Sequence, residues 1–150
     1  MAWWSGLTVG NVREGIALAG SALEGRRVGG KDYWAAAGAF DPEPGLIVEP
    51  HVLLLPNYDE ALASFADYSP MMDDALPRAR GVNDVLGVHI VVRDGFVVGG
   101  WRRRLDRDRV TVAVTLLIPL GTAELEELVA AADAYGRFVG RAVDLHVSPA

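Results

Sequence analysis

The chain has 150 residues, about one domain's worth of sequence. Its 51% hydrophobic and 23% charged residues, with 14 basic side chains against 20 acidic ones for a formal charge of −6, describe a folding sequence and exclude a disordered tail. There is no cysteine, which excludes disulfides, thiolate metal sites and cysteine nucleophiles, and no apolar run approaches the ~20 residues of a membrane helix.

The opening residues Met1-Ala2-Trp3-Trp4-Ser5 have neither the basic start nor the apolar stretch of a signal peptide, so a soluble cytoplasmic protein is expected. The first periodic segment spans residues 8–19. Val9, Val12, Ile16, Ala19 and Leu23 fall on one helical stripe, with Thr8 as N-cap and Gly20 as terminator. Gly10 and Gly15 each cost about 1 kcal/mol relative to Ala, so this helix needs tertiary support. Asn11, Arg13 and Glu14 lie on its solvent side. The next stretch holds Arg26-Arg27-Val28, then Gly29-Gly30, then Lys31 to Ala35, which reads as a tight hairpin because glycine tolerates the positive φ of a primed turn. A helix followed by a basic hairpin is the latter half of a winged helix. The same pattern also describes any helix packed on any hairpin.

Two prolines and two glycines in residues 38–45 make the clearest boundary, giving segments 1–37, a linker 38–45, and 46–150. Residues 46–49 and 51–55 read as strands, 58–67 as a short helix, and 71–84 as a loop. Strands are expected at 88–93, 96–105 and 110–118, the first two joined by the hairpin signal Asp94-Gly95. A helix over 122–139, capped by Thr122 and closed by Gly140, carries the stripe Leu125, Leu128, Val129, Ala132, Tyr135 and Val139. A last strand covers 142–147.

Few residues offer chemistry. His51, His89 and His146 are far apart on predicted strands, without the short spacing of a zinc site, so neither a metal nor another cofactor is expected. Adjacent carboxylates on a helix diverge by about 100°, so Asp59-Glu60 and Asp73-Asp74 do not make two-acid sites. Asp59 suits a helix cap, with a general base as the other reading. No serine sits in a nucleophile elbow, and the Gly95–Gly100 spacing lies within a hairpin, where no helix N-terminus awaits a phosphate. The cations are more specific. Arg26, Arg27 and Lys31 group on the first hairpin; Arg102, Arg103, Arg104, Arg107 and Arg109 group near Trp101. Both patches can attract phosphates, although Asp106 and Asp108 interleave with the second and can neutralise it. Arginine outnumbers lysine 13 to 1, a bias expected of GC-rich bacterial coding, and there is no glutamine.

Three segments in order carry a resemblance: Trp3-Trp4-Ser5-Gly6-Leu7-Thr8; Leu53-Leu54-Leu55-Pro56-Asn57-Tyr58-Asp59-Glu60; and Asp94-Gly95 followed by Val97-Val98-Gly99-Gly100-Trp101-Arg102-Arg103. Together they resemble the bacterial winged helix DNA-binding domain family, which includes the interstrand-crosslink DNA glycosylases. The resemblance implies an α+β chain: a partial winged helix (helix plus wing hairpin), then a small antiparallel β-barrel-like domain with a C-terminal helix. It also implies that the chain corresponds to the C-terminal portion of longer relatives. Glycosylase members share a glutamine-based catalytic motif in their N-terminal region, which the absence of glutamine precludes here, so no catalytic residue is expected.

Two functions follow as expectations. One is a non-catalytic DNA-binding or accessory module that contacts double-stranded DNA through Asn11, Arg13, Arg26, Arg27, Lys31, Arg102, Arg103 and Arg104. The other is the C-terminal part of a glycosylase of crosslink or alkylation repair, active only with an N-terminal half. The adjacent Trp3 and Trp4 form an apolar patch suited to dimerisation or to such a half.

Overall fold

The computed structural model describes residues 2–41, 51–63, 65, 67, 69–72, 76 and 89–149. The chain divides into two compact units, Met1–Val48 and Glu49–Ala150. The expected strand at 46–49, nearly all of the expected loop at 71–84, and the Asp73-Asp74 pair lie outside the described residues.

The first unit opens with a short helix α1 (Ala2–Ser5) and continues into α2 (Val9–Ala19). Thr8 caps α2 as expected: its side chain accepts from the Asn11 N–H at 3.1 Å. Gly20 ends the helix with φ +52°, and a 3-10 turn (Gly20–Ala22) leads into β1 (Leu23–Val28). Strand β2 (Lys31–Ala36) pairs antiparallel with β1, with Arg26 opposite Tyr33, Arg27 opposite Asp32, and Val28 opposite Lys31. Gly29 (φ +56°) and Gly30 (φ +80°) both take the left-handed backbone that a two-residue primed turn demands. No described residue of this unit is fully buried. Val12, Ile16, Ala19 and Leu23 are half-buried along the predicted stripe, whereas Val9 is exposed.

The second unit is a five-stranded sheet: β3 (Val52–Leu55), β4 (His89–Arg93), β5 (Phe96–Leu105), β6 (Arg109–Leu116) and β7 (Ala142–Pro149), hydrogen-bonded in that order. A short helix α3 (Glu60–Ala63), shorter than the expected 58–67, and a 3-10 turn (Ser69–Met71) follow β3. Helix α4 (Thr122–Val139) connects β6 to β7. The expected antiparallel barrel does not form. Among the described residues the sheet is open with β3 and β7 at its edges, and β7 runs parallel to β6 because α4 carries the chain back to the starting end before the last strand begins.

Two apolar clusters flank the sheet. Leu128 of α4 packs with Val52, Val91, Val98, Trp101, Val110, Val112 and Val114 on one face. Ile90, Val92 and Val97 pack with Leu76 and the partly buried Met71 and Met72 in the second cluster. A bulge serves both. Gly99 pairs with Val91 while Val97 pairs with Val92, so Val98 is an extra residue on β5 and two consecutive valines enter different clusters. At Gly99 a Cβ would sit 2.5 Å from the Thr115 carbonyl oxygen, so only glycine lets β5 lie this close to β6. The Val97-Val98-Gly99-Gly100 run thus has a packing explanation.

Helix α4 departs from expectation at its start. Thr122 is the first helical residue and Gly121 the cap, whose N–H donates to Glu124 Oε2 at 2.6 Å. Glu124 Oε1 also meets Arg93 Nη1 at 3.3 Å, tying the helix start to β4. Gly140 ends the helix in the left-handed region (φ +67°), and the Arg141 N–H closes on the Gly136 carbonyl at 2.9 Å.

Candidate nucleic-acid interface

The hairpin cations separate by register. Residues directly opposite in an antiparallel pair share a face and successive residues alternate, so Arg26 and Lys31 lie on one face of the β1–β2 hairpin and Arg27 on the other. Arg26 donates to Asp41 Oδ1 at 3.0 Å and to the Phe40 carbonyl at 3.1 Å, with its guanidinium over the Phe40 ring. Arg27 faces Asp32 at 3.4 Å and donates to the Gly30 carbonyl. These exposed pairs are worth roughly 0–1 kcal/mol each, but both arginines already have an acidic partner. On α2, Asn11 is engaged with Thr8 in the cap, while Arg13 is exposed.

Strand β5 arranges its arginines differently. Alternation sends Trp101 and Arg103 to the α4 side and Arg102 and Arg104 to the opposite side. Arg104 pairs with the interleaved Asp106 at 3.3 Å, and Arg109 pairs with Asp144 of β7 at 3.6 Å, an acid distant in the sequence. Arg102 and Arg103 are exposed and make no ion pair among the described residues.

Around Arg103 the structure assembles a layered constellation that the sequence did not reveal. Trp101, 2% exposed, donates its indole N–H to the Leu55 carbonyl at 3.0 Å. The His89 ring lies against one side of it (centroids 4.6 Å apart, 30° tilt), and the Tyr135 ring meets it edge-on at 5.3 Å. Arg103 stands over Tyr135, 5.9 Å from the ring centre, with Nη1 3.3 Å from His89 Nε2. The Asn57 N–H donates to His89 Nδ1 at 3.0 Å. Burial, reinforced by the Arg103 charge, pushes the His89 pKa below 6.5. The segments containing Leu55-Pro56-Asn57 and Trp101-Arg102-Arg103 therefore meet at one place. The pairing of β3, β4 and β5 brings them together across more than 40 residues, and no local spacing signals it.

The other candidates have structural settings. Asp59 Oδ1 accepts from the Ala61 N–H at 2.9 Å, the capping reading. His51 lies 3.8 Å from Glu127, and His146 3.4 Å from Asp144. Among the described residues no cluster of three or more His, Asp or Glu side chains could hold a metal ion, and no helix is long and apolar enough to cross a membrane. An open groove of about 350 Å³ between the start of α4 and the end of β7, lined by Leu116, Leu120, Leu125, Val147 and Ser148 among others, presents no titratable group.

No curated protein matches the chain. Among solved structures it is similar to the Streptomyces sahachiroi DNA glycosylase AlkZ, at 19% identity and a TM-score of 0.62 over 96% of this chain. The chain spans only 38% of that protein's length, and identity this low speaks for the fold alone. Residues 1–138 match the family described as DNA glycosylase AlkZ-like. That match extends through both units and nearly to the end of α4, so the chain belongs to the family of AlkZ-like DNA glycosylases.

Proposed function

We propose that this chain is the DNA-engaging part of an AlkZ-like glycosylase, holding duplex DNA by its backbone while base excision is carried out by residues elsewhere. The observation that carries this reading is the pair of exposed arginines on β5, Arg102 and Arg103, which have no acidic partner among the described residues in a chain of net charge −6. Phosphate contacts need cations whose charge is not already spent on neighbouring acids. Helix α2 with the β1–β2 hairpin acts, in this reading, as a partial winged helix, with Arg13, Arg26, Arg27 and Lys31 as further phosphate contacts and Asn11 beside them, Arg26 and Arg27 exchanging the exposed Asp41 and Asp32 for a phosphate at small cost. Arg104 can exchange Asp106 for a phosphate at small cost. Glycosidic hydrolysis also needs a group that positions water, and the glutamine of the resembling glycosylases has no counterpart in this sequence. Such a protein works where the DNA is, in the cytoplasm at the nucleoid. Trp3 (69% exposed) and Trp4 (63% exposed) suit a contact with the rest of a glycosylase.

Anisotropy with a short labelled duplex across a salt series tests the proposal. Binding is expected at about 50 mM salt, weakening steeply as salt rises, and Arg102→Ala with Arg103→Ala is expected to lower the log–log slope by about two, close to one unit per lost phosphate contact. No duplex binding at low salt, or an unchanged slope in the double variant, defeats the reading.

A further inference from the structure

The contacts of His89 select the tautomer of its neutral ring. The Asn57 backbone N–H is a permanent donor aimed at Nδ1, so Nδ1 must present a lone pair and the neutral ring carries its proton on Nε2. Arg103 Nη1, 3.3 Å from Nε2, is also a donor and has no lone pair. The two nitrogens therefore face each other as N–H groups and cannot hydrogen-bond to one another. No carboxylate pairs with either residue among the described residues, in contrast to Arg93, Arg104 and Arg109. Both are held in place: His89 by Trp101 and Asn57, Arg103 over Tyr135. Two converging donors without an acceptor, one of them a fixed positive charge, await an oxyanion.

We propose that His89 Nε2–H and the Arg103 guanidinium form a two-donor subsite for a tetrahedral phosphate oxyanion, filled by a phosphodiester of the DNA backbone. This rests on the DNA-engaging reading and adds to it a neutral donor that no count of cations would identify. The imidazole contributes direction and the guanidinium contributes charge. Only the second releases a counterion from DNA, which gives the two residues different signatures.

The test uses the whole chain and three substitutions. Arg103→Ala is expected to weaken duplex binding about tenfold at low salt and to lower the salt slope by about one. His89→Asn keeps an acceptor for the Asn57 N–H but removes the donor at the ε position; a loss of about fivefold with an unchanged slope is expected. Arg103→Lys keeps the charge without the planar fork, so its slope is expected to stay while affinity falls. Urea unfolding of each variant shows whether a loss comes from folding.

Long-range proton–nitrogen NMR spectra of the wild-type chain give an independent readout: the Nε2–H tautomer at neutral pH, with His89 and Arg103 side-chain nitrogens shifting when duplex DNA is added. An Nδ1–H tautomer overturns the subsite. So does unaltered duplex binding in His89→Asn, or duplex binding that leaves both side chains unmoved, although either leaves the broader DNA-engaging reading standing. Inorganic phosphate is the second ligand arm. If it shifts both side chains and duplex DNA does not bind, the phosphodiester assignment and the DNA-engaging reading fail together, and free phosphate is the ligand.

Discussion

Trp101 does three things at once for the second unit. It fills the cluster beneath α4, satisfies the Leu55 carbonyl through its indole N–H, and gives His89 a flat surface to lie against. His89 records the consequence in its titration. Removing the ring from water disfavours its charged form, the Arg103 guanidinium adds repulsion, and a proton on Nδ1 would face the Asn57 N–H. In the unfolded chain the imidazole protonates near 6.5, while in the folded chain it resists until the pH is lower. Between those two points the unfolded state binds more protons. The contribution to stability is therefore complete above the unfolded pKa and is lost as pH falls below it. Urea midpoints at about pH 7.5 and about pH 5.5 are expected to drop further for wild type than for His89→Asn. Equal drops count against a neutral, confined His89. The comparison with the variant isolates this one ring.

Helix α4 shows how one acidic side chain sets the start of an element. Gly121 has no side chain with which to cap, so Glu124 reaches back to its N–H and also meets Arg93. Arg93 and Glu124 are only 24% and 22% exposed, so this pair is less screened than the surface pairs on the hairpin. Glu124→Ala is expected to cost about 1–2 kcal/mol by urea unfolding, and Glu124→Gln less than that, because the amide oxygen still accepts from Gly121. An alanine variant as stable as wild type removes the capping argument. At its other end α4 packs onto β7 through Gly136, where a Cβ would overlap Val143. Elsewhere in the unit, the turn between β4 and β5 holds Asp94 at φ +50°, and its carboxylate accepts from the His51 N–H at 3.0 Å. Aspartate is one of the few non-glycine residues that visit this backbone region, and the Asp94-Gly95 pair is readable as a turn from sequence.

The two units differ in how they can hold themselves together. Between its two clusters the second unit buries valines on both sides of β5 together with Leu76, Ile90 and Leu128, whereas none of residues 2–41 is fully buried. Apolar burial is the main favourable term in folding, so the units should open with different free energies. Hydrogen exchange is expected to show the amides of β4, β5, β6 and α4 protected to near the global unfolding limit, and those of α2, β1 and β2 exchanging at least about a hundredfold faster. Equal protection in both units defeats this picture.

The sequence by itself determined the local elements: the Thr8 cap and the stripe of α2, the glycine turn of the hairpin, the Asp94-Gly95 turn, the stripe of α4, and the kinship with DNA glycosylases. These follow from neighbours within a few residues, where periodicity and turn chemistry act. Tertiary structure decided the rest. The crossover through α4 made the last strand parallel and left the sheet open. Strand register divided Arg26 and Lys31 from Arg27, and set Asp32 beside Arg27 and Asp144 beside Arg109. It also brought Asn57, His89, Trp101 and Arg103 together from distant parts of the chain. A count of cations records charge, but what each one can bind depends on the groups that pairing across a sheet places beside it.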